Sequence, residues 1–155
     1  MPEVDRAIRV FVSYVYAQAK EFATEAKQVF ENEGYSAWVW HHDHRPIGYA
    51  KREMRERVQE CDYFLHICTS GSPASIGQEY EREMARNYDK LPPILLAFNR
   101  DYVPQEWRDD DVIYNPVTKR NFASTCRRVA EKLKTLPRLQ RVPRTEGEGQ
   151  PFEQA

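Results

Sequence analysis

The amino-acid sequence predicts an α/β protein with a doubly wound sheet of five parallel strands and helices on both of its faces. Short apolar runs of strand length alternate along the chain with longer stretches whose apolar residues recur at helical spacing. The strands and helices repeat at intervals of about 25 to 30 residues, as in successive strand-helix units. The first apolar run is hydrophobic on nearly every residue, which is the pattern of a strand covered on both faces.

The five predicted strands are rich in β-branched and aromatic residues. They span residues 8–14, 36–40, 63–68, 93–98 and 112–114. In doubly wound sheets, ligands bind beyond the carboxyl ends of the strands, near the point where the strand order reverses. The loops that follow Tyr14, Trp40, Cys68 and Phe98 therefore form the candidate site.

Amphipathic helices are predicted between and after the strands. The first ends at Gly34, a residue type that suits the position just after a helix terminus. The second is expected to expose its charged residues and to bury one face, formed by Ile47, Ala50, Met54, Val58 and Cys61. The apolar spacing stops at Pro137, which predicts one domain over residues 1–136 and a flexible tail or linker over residues 137–155.

The charge balance and the hydrophobic pattern exclude several classes of function. The 23 basic and 24 acidic residues leave a net charge of −1, so nothing favours binding to nucleic acid or to a membrane. No run approaches the roughly 18 apolar residues of a spanning helix, and the N-terminus lacks the apolar core of a signal peptide. We therefore expect a cytoplasmic protein, in which Cys61, Cys68 and Cys126 are reduced and buried thiols.

The third predicted helix carries one acidic residue on its inner face. With Ser75 as the N-cap, a buried stripe is predicted at helical spacing, formed by Gly77, Tyr80, Glu81, Met84, Ala85 and Tyr88. Glu79 and Glu83 project about 200° away on the helical wheel and are expected to face solvent. An inward carboxylate costs several kcal/mol unless a partner stabilises it. Glu81 is therefore the residue that the sequence leaves to be explained.

The loop before this helix, TSGSPAS over residues 69–75, allows two interpretations. Its backbone N–H groups and hydroxyls, at a helix N-terminus, could bind an anion such as a diphosphate, with Ser70 and Ser75 among the ligands. The alternative is an ordinary loop in which Ser75 only caps the helix.

Other motifs carry weaker signals. The sequence contains no GxGxxG after the first strand and no Walker loop, GxSxG or HExxH motif. HHDH over residues 41–44 contains ligand types, but adjacent loop side chains rarely converge on one ion, and we predict no metal site. His66 is expected to be a satisfied core histidine. Trp40 or Trp107, near strand ends, could stack on a flat base.

The motifs along the chain resemble, in order and spacing, those of the Toll/interleukin-1 receptor (TIR) domain family. They are FVSYVY, GYSAWVW, the loop over residues 46–48, the helix start from Ser75 to Glu81, and PILLAF, and the resemblance covers about residues 8–135. Phe11, Val12, Ser13 and Tyr14 match the family's opening F-[IV]-S-Y strand directly. Gly77 and Gln78 replace the usual aromatic and apolar pair before the glutamate, and Arg82 stands where an apolar residue is usual.

The resemblance implies a flavodoxin-like three-layer sandwich and a chemistry for Glu81. In the enzymes of this family, the matching glutamate is catalytic and the domain cleaves the nicotinamide glycosidic bond of NAD+, giving ADP-ribose or cyclised forms. By resemblance, the nucleotide pocket of this chain is lined by Ser13, Tyr14, Tyr16, Trp40 and Asp43. NAD+ is then the substrate, and no separate cofactor is expected.

Three functions follow from the resemblance. The first is a TIR-type NAD+ glycohydrolase or cyclase that makes an ADP-ribose-derived messenger in immune or antiviral defence, acts through self-association and signals to a downstream effector. The second is a TIR scaffold that only associates with itself or with other TIR domains, through the loop over residues 45–48. The third is a related enzyme that accepts nucleosides rather than NAD+.

Overall fold

The structure is a computed structural model that describes residues 7–40, 50–90, 92–108 and 112–135. Five parallel strands form one sheet in the order β2-β1-β3-β4-β5. The strands are β1 (Arg9–Ser13), β2 (Ser36–Val39), β3 (Tyr63–Cys68), β4 (Ile94–Ala97) and β5 (Ile113–Pro116). The predicted fold class is confirmed, and each predicted strand lies within two residues of its observed bounds.

Within the described residues, four helices cover the two faces of the sheet. They are α1 (Tyr16–Asn32), α2 (Ala50–Glu60), α3 (Ile76–Asn87) and α4 (Phe122–Lys134). Helix α1 packs against α4 on one face, and α2 packs against α3 on the other. The described part of the chain also contains three short 3-10 turns that the sequence did not predict, at Ser72–Ala74, Arg100–Tyr102 and Gln105–Trp107.

Alternation along the central strands divides the core into two clusters. On β1, Val10 and Val12 pack with α1 and α4, whereas Phe11 faces the other side together with Phe64 of β3. Because side chains on a strand alternate between faces, Ser13 shares the face of Phe11. By the same alternation, His66 shares the face of Phe64. The face under α2 and α3 therefore carries Ser13 and His66, both buried, towards the carboxyl ends of the two central strands.

The register brings two of those polar residues together. In the parallel pairing of β1 with β3, Ser13 lies opposite His66. The strand order reverses between these two strands, which is the point at which ligands bind in doubly wound sheets. The backbone pairing alone thus places Ser13 and His66 at the switch point, beneath the start of α3.

The second helix differs from its prediction at one position. Val58 and Cys61 are buried and Met54 is half-buried, as expected. The prediction that all charged residues of this helix face solvent is wrong for Glu53, which is buried and lies 3.8 Å from Arg57. The ion pair with a residue one turn further along the helix allows the carboxylate to enter the helix interface.

Other sequence predictions have clear outcomes in the described part of the chain. Cys61, Cys68 and Cys126 are buried free thiols, and burial raises the pKa of each to about 12. None of the helices described is long and apolar enough to cross a membrane. The predicted tail over residues 137–155 and the loop over residues 41–49 lie outside the described residues.

Gly34 ends the first helix in a backbone conformation that other residues avoid. Its φ angle is +95°, and a Cβ there would meet no atom within 4 Å, so the cost of substitution is conformational rather than steric. We predict that Gly34→Ala lowers the free energy of unfolding by about 1 kcal/mol, as measured by urea denaturation.

Gly77, in the first turn of α3, is the matched control. A Cβ there makes one ordinary contact at 3.9 Å, and its φ angle is not positive. Gly77→Ala should therefore leave stability unchanged or raise it by up to about 1 kcal/mol. An equal loss in both variants would contradict the conformational explanation.

Candidate active site

A cluster of buried polar residues lies at the carboxyl ends of β1 and β3, under the first turns of α3. Its members come from both strands and the helix and are Ser13, His66, Gln78, Glu81 and Arg82. Burial of so many polar side chains is destabilising unless each one finds partners. The partners therefore define what this cluster can do.

The N-cap of α3 fixes which residues point inward. The Ser75 hydroxyl accepts a hydrogen bond from the backbone N–H of Gln78 at 3.1 Å, and the Ser75 carbonyl accepts one from Glu79 at 2.9 Å. This confirms Ser75 as the N-cap. The helix then begins at Ile76, which is 81% exposed, and directs Gln78 and Glu81 towards the sheet.

The predicted inner stripe of α3 is partly wrong. Gly77 is exposed and Tyr80 only half-buried, whereas Gln78 and Arg82 are buried. The buried residues of the helix are Gln78, Glu81, Arg82, Met84 and Ala85. The predictions for Glu81, Met84 and Ala85 are therefore confirmed, and Tyr88, just after the helix, is also buried as predicted. Apolar periodicity does not identify the inner face here, because the first turns of that face are polar. The predictions for Glu79 and Glu83, which are exposed, are confirmed.

Glu81 is 8% exposed and accepts a hydrogen bond from the Ser13 hydroxyl at 2.6 Å. Desolvation by burial raises the pKa of its carboxyl to about 8, although the Ser13 hydrogen bond and the charge of Arg82 both act to lower it. The proton on Glu81 is therefore exchangeable near neutral pH, which is a property of groups that transfer protons or stabilise charge.

Gln78 links this pair to the sheet. Its Nε2 donates to the Ser13 hydroxyl at 3.2 Å and to the Ile67 carbonyl, also at 3.2 Å. In the sequence, Gln78 stands out only as a departure from a family motif. Its polar role was not detectable, because both partners lie on strands that are distant along the chain.

Arg82 forms a second polar system beside the first. Its guanidinium, which is 2% exposed, lies 3.3 Å from His66 Nε2 and donates to Glu106 Oε1 at 3.4 Å. It also lies 5.7 Å from the ring centre of Trp107. Glu106 in turn accepts from Arg86 at 2.6 Å, so the buried cation is balanced by a shared carboxylate.

His66 is neutral in this environment. Burial and the neighbouring charge of Arg82 hold the pKa of its ring well below the usual range. Because Nε2 faces the Arg82 donor, it must be the accepting nitrogen, and Nδ1–H is left to donate to Cys68 Sγ at 3.3 Å. The prediction of a satisfied core histidine is confirmed.

The tryptophans differ in what they offer a ligand. Trp107 is 1% exposed, and its ring packs edge-to-face against that of His66, with ring centres 5.1 Å apart. The interpretation that Trp107 stacks on a base is therefore wrong. Trp107 lies at the end of a 3-10 turn that places its side chain in the core. Trp40 follows β2 directly, is half-buried, and contacts Trp38 with ring centres 5.8 Å apart. It remains a predicted pocket residue.

The other residues of the predicted pocket are spread around Ser13. Tyr14 is half-buried and packs with the cluster under α1 and α4, on the opposite face of the sheet from Glu81. Tyr16 is exposed at the start of α1, with Lys20 Nζ 5.4 Å from its ring centre. Asp43 lies outside the described residues. The structure thus brings Ser13 and Glu81 together, and the pocket roles of the other residues remain predictions.

The Ser/Gly loop is held by its own contacts and by Gln18. Gln18 Oε1 accepts from the Thr69 hydroxyl at 2.6 Å and from the Gly71 N–H at 2.8 Å, while Gln18 Nε2 donates to the Ser70 hydroxyl at 2.8 Å. Further loop N–H groups bond within the loop, namely those of Thr69, Ser72, Ala74 and Ser75. These contacts favour the interpretation as an ordinary loop, and ligand binding by Ser70 and Ser75 remains a prediction.

Within the described ranges, no three His, Cys, Asp or Glu side chains are grouped as metal ligands would be. The HHDH motif over residues 41–44 lies outside those ranges. What the cluster offers chemically is a carboxyl group that can exist in either protonation state, with a hydroxyl donor held against it. This suits the stabilisation of positive charge or the transfer of one proton.

The raised pKa of Glu81 has a consequence for stability. The folded protein favours the protonated carboxyl, so raising the pH from about 4.5 to about 8 should destabilise it, by at most about 1.4 kcal/mol per pH unit. Glu81→Gln mimics the neutral form. We predict that the variant exceeds wild type in free energy of unfolding, by a margin that grows over this window and reaches several kcal/mol.

Urea denaturation at unit pH intervals from 5 to 9 measures this margin. Glu79→Gln, on the exposed face of the same helix, is the matched control and should show no such trend. A margin for Glu81→Gln that is the same at every pH would contradict the raised pKa.

Comparison with known proteins is consistent with this architecture. The family model for the TIR domain matches residues 10–133. Among 20 solved chains that match is the CMP N-glycosidase BcmB of Clostridium botulinum. The two are similar with a TM-score of 0.56 and 17% sequence identity, over 81% of this chain and 97% of that one, which shows a shared fold. No curated protein matches the sequence.

Proposed function

The chain belongs to the TIR domain family, and from this premise we propose that it cleaves the N-glycosidic bond between ribose and nicotinamide in NAD+. Glu81 is the catalytic carboxylate in this proposal. The observation that carries it is the burial of Glu81 at the switch point of the sheet, with a hydrogen bond of 2.6 Å from Ser13.

Burial of the Glu81 carboxyl destabilises the fold, and no salt bridge offsets this cost. Arg82 follows it in sequence, but the guanidinium contacts His66 and Glu106 rather than Glu81. A buried carboxyl without a salt bridge is destabilising, whereas an apolar residue at the same place would add to the core. A perturbed carboxyl at the place where such sheets bind ligands is therefore best explained by chemistry on a ligand.

The reaction needs a carboxylate but no strong acid. The bond between ribose C1′ and the pyridinium nitrogen breaks with its electron pair going to the ring, which leaves as neutral nicotinamide. Positive charge develops on the ribose and is stabilised by the ionised Glu81 beside it. Water then adds to C1′ and releases a proton, giving ADP-ribose, or a nucleophilic atom of the same substrate adds instead and gives a cyclic product.

The substrate itself would supply the ionised form of Glu81. NAD+ carries a positive charge on the nicotinamide ring, and an opposite charge within about 4–6 Å lowers the pKa of a carboxyl. Binding of the pyridinium ring should therefore drive the proton off Glu81. A neutral substrate has no such effect, so a mechanism that uses the ionised Glu81 favours a cationic substrate.

We predict a pH dependence with two different midpoints. The value of kcat/KM for NAD+ reports the free protein and should rise with pH to a plateau, with an apparent pKa of about 8. The value of kcat reports the complex and should rise with a midpoint at lower pH, because the bound cation favours the carboxylate. Initial rates of nicotinamide release from pH 5 to 9 measure both, and coincident midpoints would contradict ionisation by the substrate.

We also predict that Glu81→Ala and Glu81→Gln lower kcat/KM for NAD+ by about a hundredfold or more, since each removes the charge that opposes the oxocarbenium ion. The matched control is Glu79→Ala, which removes an exposed glutamate from the same helix and should retain wild-type activity. The assay is nicotinamide release, followed by chromatography and product identification by mass spectrometry at several protein concentrations. Undiminished activity of Glu81→Ala excludes the assignment.

The proposal extends to the biological role. An ADP-ribose-derived product would act as a messenger in immune or antiviral defence, with self-association of TIR domains completing or activating the site. Full signalling by Glu81→Gln, together with absent nicotinamide release, would instead identify a TIR scaffold. The loop over residues 45–48 that such a scaffold would use lies outside the described residues.

A second candidate is cleavage of a nucleoside 5′-monophosphate, which is favoured by the similarity to a CMP N-glycosidase. A pyrimidine base leaves as an anion unless it is protonated, so this reaction gains from a general acid. Glu81 in its protonated form could supply that proton, and the rate would then fall rather than rise as the pH passes about 8. A panel of NAD+, CMP and cytidine, assayed at pH 6 and pH 9, separates the two candidates.

A further inference from the structure

A series of hydrogen bonds connects the backbone of β3 to the carboxyl of Glu81. Gln78 Nε2 donates to the Ile67 carbonyl and to the Ser13 hydroxyl, both at 3.2 Å, and the hydroxyl donates to Glu81 at 2.6 Å. Gln78 is 1% exposed, so water does not compete for these bonds. Gln78 and Glu81 lie one helical turn apart on the same face of α3.

The chemistry of the partners fixes the direction of every bond in the series. A backbone carbonyl only accepts, so the group of Gln78 that faces Ile67 must be the NH2 group rather than the oxygen. The second N–H of that group then points at the Ser13 oxygen. Ser13 has one proton, and with its oxygen occupied by this donor the proton is directed to Glu81.

Stability does not explain the amide. Gln78 Oε1 is buried and has no hydrogen-bond donor among the described residues. An unsatisfied buried acceptor is destabilising, and a methionine would fill a similar volume without one. The amide therefore carries a destabilising, unsatisfied oxygen that an apolar side chain would lack. Its effect on the site is to orient the Ser13 hydroxyl.

We propose that Gln78 is a positioning residue for Glu81. Gln78 acts by holding the Ser13 hydroxyl as a fixed donor to the Glu81 carboxylate. The orientation effect concerns the protein alone, whereas its catalytic consequence rests on the proposed function. Gln78 contacts no reacting atom in this account. It removes the freedom of the Ser13 hydroxyl to rotate away, so that Glu81 is presented in one orientation and its ionised form is favoured.

Other charged groups near this part of α3 are accounted for by their own partners. Arg82 lies on the same helix and contacts Glu106 and neutral His66 of β3. On the neighbouring α2, Lys51 lies over the ring of Tyr80 and Glu53 lies near Arg57. These contacts do not involve Gln78, so a variant at position 78 leaves them in place.

The first measurement is the pKa of Glu81 in wild type and three variants, obtained from a pH titration of the side-chain carboxyl carbons by NMR. Gln78→Met should raise this pKa by about half a unit to one unit, because the Ser13 hydroxyl is no longer held as a donor. Ser13→Ala should raise it at least as much. In the double variant, Gln78→Met should add nothing to Ser13→Ala, since no hydroxyl remains to be oriented.

The second measurement is the rate of NAD+ cleavage by the same four proteins. At pH 7, Ser13→Ala should lower kcat/KM by about tenfold or more, and Gln78→Met by about threefold to tenfold, because the higher pKa of the free protein leaves less of Glu81 ionised. The double variant should equal Ser13→Ala alone. Thr125→Val is the control, because it alters another buried hydroxyl, on α4 at the opposite face of the sheet, and should change neither quantity.

The outcomes separate this inference from the proposed function. If Gln78→Met leaves the pKa of Glu81 unchanged, or shifts it equally with and without Ser13, the positioning role is wrong. If the pKa pattern is as expected but no protein cleaves NAD+, the positioning role stands and the proposed substrate is wrong. Gln78→Asn, whose shorter amide cannot span both bonds, should reproduce the shift of Gln78→Met and replaces it if that variant does not fold.

Discussion

The hydrogen bond between Ser13 and Glu81 is the contact on which the candidate site depends. It joins the end of the first strand to the third helix across 68 positions of the chain, at the point where the strand order reverses. Burial removes the water that would otherwise solvate the carboxyl, and it is this desolvation that raises the pKa to about 8. The same physical cause therefore makes Glu81 a liability for stability and a suitable group for chemistry at neutral pH.

The inner face of α3 makes polar contacts in its first turns and apolar contacts in its last turns. Its first turns carry Gln78, Glu81 and Arg82, which contact the polar ends of β1 and β3, and its last turns carry Met84 and Ala85, which pack in the apolar cluster. Arg82 extends the polar contacts to the turn that holds Glu106 and Trp107. The helix is thus fixed by apolar packing at one end, and this packing offsets the cost of the polar cluster at the other.

Particular residues show how far sequence reasoning reached. The strands were predictable because each is a short apolar run, and Ser75 was predictable because capping is a local interaction with the next few N–H groups. Glu81 was selected correctly as the inward glutamate because it lies on both the predicted and the observed face. Gln78 and Arg82 were missed because an apolar pattern cannot identify a polar side chain that is buried by its partners, and Trp107 was misjudged because the turn that buries it has no periodicity.

The sequence by itself determined the class of fold, the positions of the strands and the choice of Glu81 among three neighbouring glutamates, since these depend on periodicity within a few turns of chain. The tertiary structure decided the rest. Only the pairing of β1 with β3 places Ser13 beside His66, and only the packing of α3 on that pair gives Glu81 its hydrogen bond and its raised pKa. Protonation and orientation depend on desolvation and on partners that are distant in sequence, and neither is encoded locally.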